Sequence, residues 1–246
     1  MNQTTRGIGQ DGLFFLIICN FDAAFVMVSG IGQTQPQVFY LNTAPIRAKT
    51  VQKLCPRREV YRFTLDTCHE LHGLPTVVIV KRIKDGWHDE FEEEKRNYER
   101  LKSLQGSVVP TFFGEGTFND SPIIIISEVV GKTLHELAHS MATISSDELR
   151  GPLEKALEQI HSLGAEYLDQ KLDNFILCNT GEIMIVDLEQ VDYPPDLKNF
   201  SFRESVNYGG VGCLLYLLDD IRQRKSQMAR DNFLPGGPYA LTGSLY

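Results

Sequence analysis

The sequence predicts an α+β fold, and two observations carry that reading. Up to about residue 130, apolar residues alternate or run together between Gly, Pro and Asn breakers, as strands do. Beyond that point apolar residues recur mainly at helical spacing, interrupted by two short strand-like runs. A chain of 246 residues buries a sizeable core, as one domain or as two small lobes.

Residues 1 to about 50 are strand-like, punctuated by Gly, Gln and Pro, and carry no recognisable chemistry. Within them GLFFLIICNFDAAFVMVSGI, residues 12–31, lies behind Arg6 as an export signal would. Asn20 and Asp22 interrupt it, and its longest apolar run falls far short of the ~20 residues of a membrane span. It reads as two strands joined at CNFDA, so no membrane partner is expected. From Val60, VYRFTLD alternates as a half-buried strand, TCHELHGLP is a loop and TVVIVKRI is a second strand. GWHDEFEEEKRNYERLKSL spaces Phe91, Tyr98, Leu101 and Leu104 for one helical face. Asp89 and Glu90 open it, where the helix dipole favours acid.

TFFGEGTF and PIIIISEVV read as a hairpin turning at NDSP and ended by Gly131. TLHELAHSM is a short helix, and SSDELRGPLEKALEQIHSLG a longer one with a capping box in Ser145 and Glu148 and a stop at Gly164. NFILC and EIMIVDL are short strands around the turn NTG. ESVNYGGVGCLLYLLDDI reads as a buried helix despite the weakening effect of Gly209, Gly210 and Gly212, and FLPGGPYALTGSLY as a frayed tail.

A net charge of -8 argues against a general nucleic-acid or anionic-membrane surface, both of which need basic faces. The five cysteines are odd in number, scattered and without a C-x-x-C pair, which points to a reducing, intracellular, cytoplasmic setting rather than a disulfide framework.

The chemistry-bearing residues come in a fixed order: strand Lys81, an acidic helix, a hairpin, helices, a loop with Asp169 and Asn174, a second hairpin and Asp187. Singly each has a bland reading. Lys81 alone is a snorkelling surface lysine, Glu94 belongs to a solvated acidic run, and Asp169, Asp173, Asn174 and Asp187 are turn or strand-end residues. Their joint order and spacing argue for a reaction centre.

Through VVIVK, EKRNYERL, IIIISEVVGKTL, YLDQKLDN and IVDLE, residues 60–221 resemble the protein-kinase-like family, in a small, divergent eukaryotic form of fungal type. The resemblance implies a two-lobed protein-kinase-like fold, with a small β-rich N-terminal lobe and a reduced, mostly α-helical C-terminal lobe. Residues 1–50 would be an extension of uncertain structure, 51–130 the first lobe and hinge, and 131–246 the second lobe and tail. It further implies that Lys81 holds ATP phosphates and pairs with Glu94, with Glu93 and Glu90 as alternatives. Asp169 would accept or orient the substrate hydroxyl, Lys171 would neutralise the transferring phosphoryl group, and Asn174 and Asp187 would bind Mg2+. Val78 and Ile176 would sandwich the adenine, and the backbone near Glu128 and Val130 would hydrogen-bond it, with Ser127 leaving room behind. The partner would be ATP together with a protein substrate or a small-molecule hydroxyl.

The pattern also breaks. Lys53, Cys55 and Arg58 stand where the phosphate loop's glycines would be, so that backbone approaches phosphates less easily and Arg57 and Arg58 would act by charge instead. The glycines of GIGQTQ lie too far upstream to substitute. Tyr167 replaces the loop histidine, DLE replaces D-F-G, no A-P-E follows, and Asn207 stands where an aspartate commonly braces the loop. These departures motivate an alternative, a pseudokinase that binds nucleotide or a partner without transfer. HELAH, residues 135–139, also satisfies the H-E-x-x-H pattern of zinc proteases, though no third ligand or long supporting helix is evident. CHELH, residues 68–72, reads as a solvated loop, His161 as a core histidine and Met184 as strand core.

Overall fold

Apolar alternation sets where each strand faces. β1 (Gln37–Leu41), β2 (Ala44–Lys53), β3 (Val60–Leu65), β4 (Val77–Arg82), β5 (Phe112–Phe118) and β6 (Ser121–Ser127) form an antiparallel sheet in the order β1-β2-β3-β4-β6-β5. The sheet closes on itself because β1 also pairs with β5, Tyr40 opposite Thr117 and Leu41 opposite Gly116. The computed structural model describes residues 37–66, 73–140 and 144–233. The segment 12–31, GIGQTQ, CHELH and residues 234–246 of the tail lie outside the described residues.

Inward-facing Phe39, Ile46, Phe63, Val78, Val80, Phe118, Ile123 and Ile125 fill the barrel. Phe63 meets both Phe39 and Phe118 edge to face, at 5.2 and 5.0 Å. The alternate residues Ile124 and Ile126 point outward, yet are equally buried, because α1 (His88–Arg100) covers that face with Phe91 and Tyr98. This double covering is why β6 is an unbroken isoleucine run rather than an alternating one. Two-residue turns close the β1–β2 and β5–β6 hairpins. Asn42 and Thr43 in the first, and Asn119 and Asp120 in the second, all have positive φ, as a type I′ turn requires.

The remainder alternates helices with short strands. β7 (Gly131–Thr133) leads into α2 (Leu134–His139), α3 (Ser146–Ser162) and β8 (Glu166–Tyr167). β9 (Phe175–Cys178), β10 (Ile183–Ile185) and β11 (Val191–Asp192) follow, and α4 (Val206–Phe233) ends the described part. β9 lies between β10 and β7, and β8 pairs with β11. α3 starts on a complete Ser145–Glu148 capping box, and Gly164 follows its end at φ 78°, a left-handed geometry that suits glycine. α3 and α4 pack through Leu153, Leu157, Ile160, Leu214 and Leu218 into a second core that continues to α1.

This architecture corrects the expected fold. Among the described residues there is no two-lobed kinase-like arrangement with a small β lobe and a mostly helical second lobe. A closed six-stranded antiparallel barrel is joined to a part with few helices and five short strands, mixed α+β as a whole. The physical cause lies in residues 37–53, which supply two full strands and seal the sheet edge that would otherwise stay open.

Candidate functional site

The outer face of β4 carries the first site residue. Strand parity puts Ile79 and Lys81 on one side and Val78 and Val80 on the other, inside the barrel. Lys81 Nζ donates to both Glu94 carboxylate oxygens at 2.6 Å and to Asp187 Oδ1 at 2.7 Å, with Glu189 Oε1 at 3.4 Å. α1 presents Glu94 on its buried face, while Glu93 turns to Arg96 at 2.7 Å and Glu90 is exposed.

Burial opposes charge in this cluster, and neighbours decide the outcome. Desolvation alone would lower the Lys81 pKa, but Asp187 and then Glu94 outweigh it and hold the ammonium well above its ordinary range. For Glu94 burial wins: desolvation, only partly offset by Lys81 and reinforced by the Asp187 charge, lifts the carboxyl to about 7. Burial also pushes Asp187 up, but Lys81, then Arg58, bring it below the usual carboxylate range.

Asp187 has φ 66°, a strained position for a non-glycine residue, and its surroundings hold it there. The Tyr167 hydroxyl donates toward the carbonyls of Val186 and Asp187 at 2.9 and 3.2 Å. Asn97 Nδ2 donates to the Leu188 carbonyl at 2.8 Å, and the Leu188 N–H reaches Glu94 Oε1 at 3.4 Å. Tyr167 thus ties the segment before Asp169 to Asp187.

Asp169, Lys171 and Asn174 form a second network. Asn174 Nδ2 donates to the Asp169 carbonyl at 3.0 Å and to its Oδ2 at 2.9 Å, and Lys171 Nζ lies 2.7 Å from Asp169 Oδ1. The Val186 N–H donates to the Asn174 carbonyl at 2.9 Å, joining this network to the strand that carries Asp187. Asn207, fully buried in the first turn of α4, accepts from the Tyr167 N–H at 2.8 Å and donates to the Ala165 carbonyl at 2.9 Å. An asparagine therefore braces the segment leading into the loop.

A cavity of about 510 Å³ opens between these elements. Lys81, Glu94 and Asp187 line it, as do Glu128, Val130 and Ile176, whereas Asp169, Lys171 and Asn174 do not. Val78 does not reach it; Ile79 takes that wall position. β6 ends at Ser127, and Glu128 to Val130 belong to no strand, so their backbone runs past the cavity outside the ladder. Arg62 Nε donates to Glu128 Oε1 at 2.6 Å, a pair that sequence reasoning missed. Glu189, Trp87 and Phe91 were missed as well. Parity of β4 counted from Lys81 could have selected Ile79 over Val78, but no spacing rule marks Glu189.

Glu94, Asp187 and Glu189 offer oxygens that all lie within 4.8 Å of one another, a set that could hold a metal ion. Among the described residues His135 and His139 gather no such third ligand. Their helix has six residues, and the Glu136 carboxylate accepts from the Thr133 N–H as part of a helix cap. No helix among the described residues is long and apolar enough to cross a membrane. No family model matches the chain, and no curated protein matches it.

Proposed function

We propose that the chain is an ATP-dependent phosphotransferase with the chemistry of a protein kinase, moving the γ-phosphate of ATP to a substrate hydroxyl. The observation that carries this reading is the Lys81 ammonium, shared by Glu94 and Asp187 on the wall of a 510 Å³ cavity. An ammonium fixed by two carboxylates is oriented before the phosphates arrive, so little ordering is left to be done on binding.

In this reading the base lies between Ile79 and Ile176, with the backbone of Glu128 to Val130 at its edge. Lys81 takes the phosphates. Asp169 accepts the hydrogen bond of the attacking hydroxyl, and Lys171, paired with it at 2.7 Å, neutralises the phosphoryl oxygens. The donor set fits a hard cation: Asp187 supplies a carboxylate, and Asn174 Oδ1 is buried without a hydrogen-bond partner, an orphaned oxygen that a cation would satisfy. Magnesium held by Asp187 and Asn174 would neutralise charge on the transferring phosphates. A hydroxyl on a protein, with a Ser/Thr leaning from the D-x-K-x-x-N form, or on a small molecule, and a cytoplasmic location complete the proposal.

Transfer of radiolabelled γ-phosphate to a mixed protein substrate or to water tests it. Asp169→Ala is expected to lower the rate at least about 100-fold with ATP binding retained, the range for a positioned proton acceptor. Equal rates in wild type and variant would overturn the role of Asp169. A second reading, nucleotide binding without transfer, is favoured by Arg58, which stands in place of a phosphate-loop glycine and faces Asp187 at 3.9 Å.

A further inference from the structure

The carboxylates around Lys81 are countered from within the chain. Glu94, Asp187 and Glu189 face three cations: Lys81 lies within 3.4 Å of all three, Lys84 Nζ lies 3.8 Å from Glu189 and Arg58 Nη1 lies 3.9 Å from Asp187. The two oxygens of Asp187 are divided between partners. Oδ1 accepts from Lys81, and Oδ2 faces Arg58.

Arg58 is presented by a braced turn between β2 and β3. The Leu54 N–H donates to the Val60 carbonyl at 2.9 Å, the Arg58 N–H to the Cys55 carbonyl at 3.3 Å, and Cys55 is buried. Lys53 and Glu59 pair at 2.6 Å across the base of the turn. The guanidinium lines the cavity and is 43% exposed, so it can exchange partners without unfolding anything. A divalent ion approaching Asp187 must displace that charge, whereas polyphosphate offers the guanidinium a bidentate acceptor in return.

We propose that Arg58 is a counter-cation that keeps a bare divalent ion off Asp187 and leaves it when nucleotide phosphates draw the guanidinium away, so that nucleotide and metal enter together. This rests on the reading of the cavity as a nucleotide site. It makes Arg58 a residue that selects the metal–nucleotide pair over the metal alone.

Trp87 is the single tryptophan of the chain and lines the same cavity, so quenching of its fluorescence by Mn2+ reports occupancy there. Mn2+ is titrated into wild type, Arg58→Gln, Arg58→Lys and the double variant Arg58→Gln/Asp187→Asn, with ATP binding followed in parallel through a fluorescent ATP analogue. Arg58→Gln is expected to bind Mn2+ about tenfold more tightly than wild type, the scale of one partly screened charge at this distance. Arg58→Lys stays near wild type, the double variant loses the gain, and ATP brings wild type to the affinity of Arg58→Gln. Unchanged Mn2+ affinity in Arg58→Gln, with ATP bound normally, overturns the role of Arg58 and leaves the nucleotide reading standing. A gain in Mn2+ affinity with no ATP bound by any form overturns the nucleotide reading and joint entry with it, and leaves Arg58 only a counter-charge to the metal.

Discussion

Asn207 illustrates how closely single groups are matched in this molecule. Its oxygen takes the Tyr167 N–H and its amide serves the Ala165 carbonyl, all out of water. Asn207→Asp keeps the acceptor but turns a carboxylate toward that carbonyl. Chemical denaturation is expected to find it destabilised by about 2–4 kcal/mol, the cost of an unsatisfied buried carbonyl beside a charge. Equal stability would mean that the amide donor does not matter. Glu59 contributes to the acid limb of stability. Burial alone would raise its pKa, but hydrogen bonds from Lys53, Tyr61 and Arg82 hold it at about 2, against an ordinary 4.5. A depressed carboxyl stabilises the fold above its unfolded pKa and loses that contribution as pH falls through the folded one. Melting temperature of wild type should therefore drop between about pH 4.5 and 2 more steeply than that of Glu59→Gln. Parallel curves would exclude this cluster as the cause.

At the scale of elements, barrel closure is the sensitive point. A Cβ on Gly116 would lie 1.7 Å from the Tyr40 carbonyl oxygen, so β1 and β5 approach only because that residue is glycine. Gly116→Ala is expected to cost about 2–4 kcal/mol in chemical denaturation, as a backbone clash in a buried sheet does. A variant as stable as wild type would show that the β1–β5 seam is not needed for the fold. The same scale shows what the sequence could tell. VYRFTLD, TVVIVKRI and the helix from His88 are legible because their apolar spacing fits one period each, and the Ser145 capping box is legible because it is local. The seam was not legible. It joins Leu41 to Gly116 across the chain, and pairing of that kind leaves no local signal. The motif resemblance points to Val78 for the cavity, whereas counting two residues back from Lys81 selects Ile79, which lines it.

For the whole molecule, the barrel and the mixed α and β part that follows it meet where the charges concentrate. Lys81 comes from the barrel, Glu94 from the next helix, which covers it, and Asp187 from the segment after β10, so one ammonium ties two neighbouring elements to a segment 106 residues further on. The sequence order of these residues was readable, and so was the five-residue interval from Asp169 to Asn174. Their burial, the fork of Arg62 on Glu128 and the counter-charge from Arg58 follow only from the fold. In the proposed function this junction binds ATP through Lys81 and Asp187. The most direct measurement is the melting temperature with millimolar ATP, with and without Mg2+, for wild type and Asp187→Ala. A ligand that binds only the native state raises stability by about 2.7 kcal/mol at a hundredfold excess over Kd, and a chain of this size gains roughly 2–4 °C per kcal/mol. A magnesium-dependent rise of several degrees is expected in wild type, and Asp187→Ala should abolish it. No rise in wild type, or the same rise in both proteins, would contradict that reading.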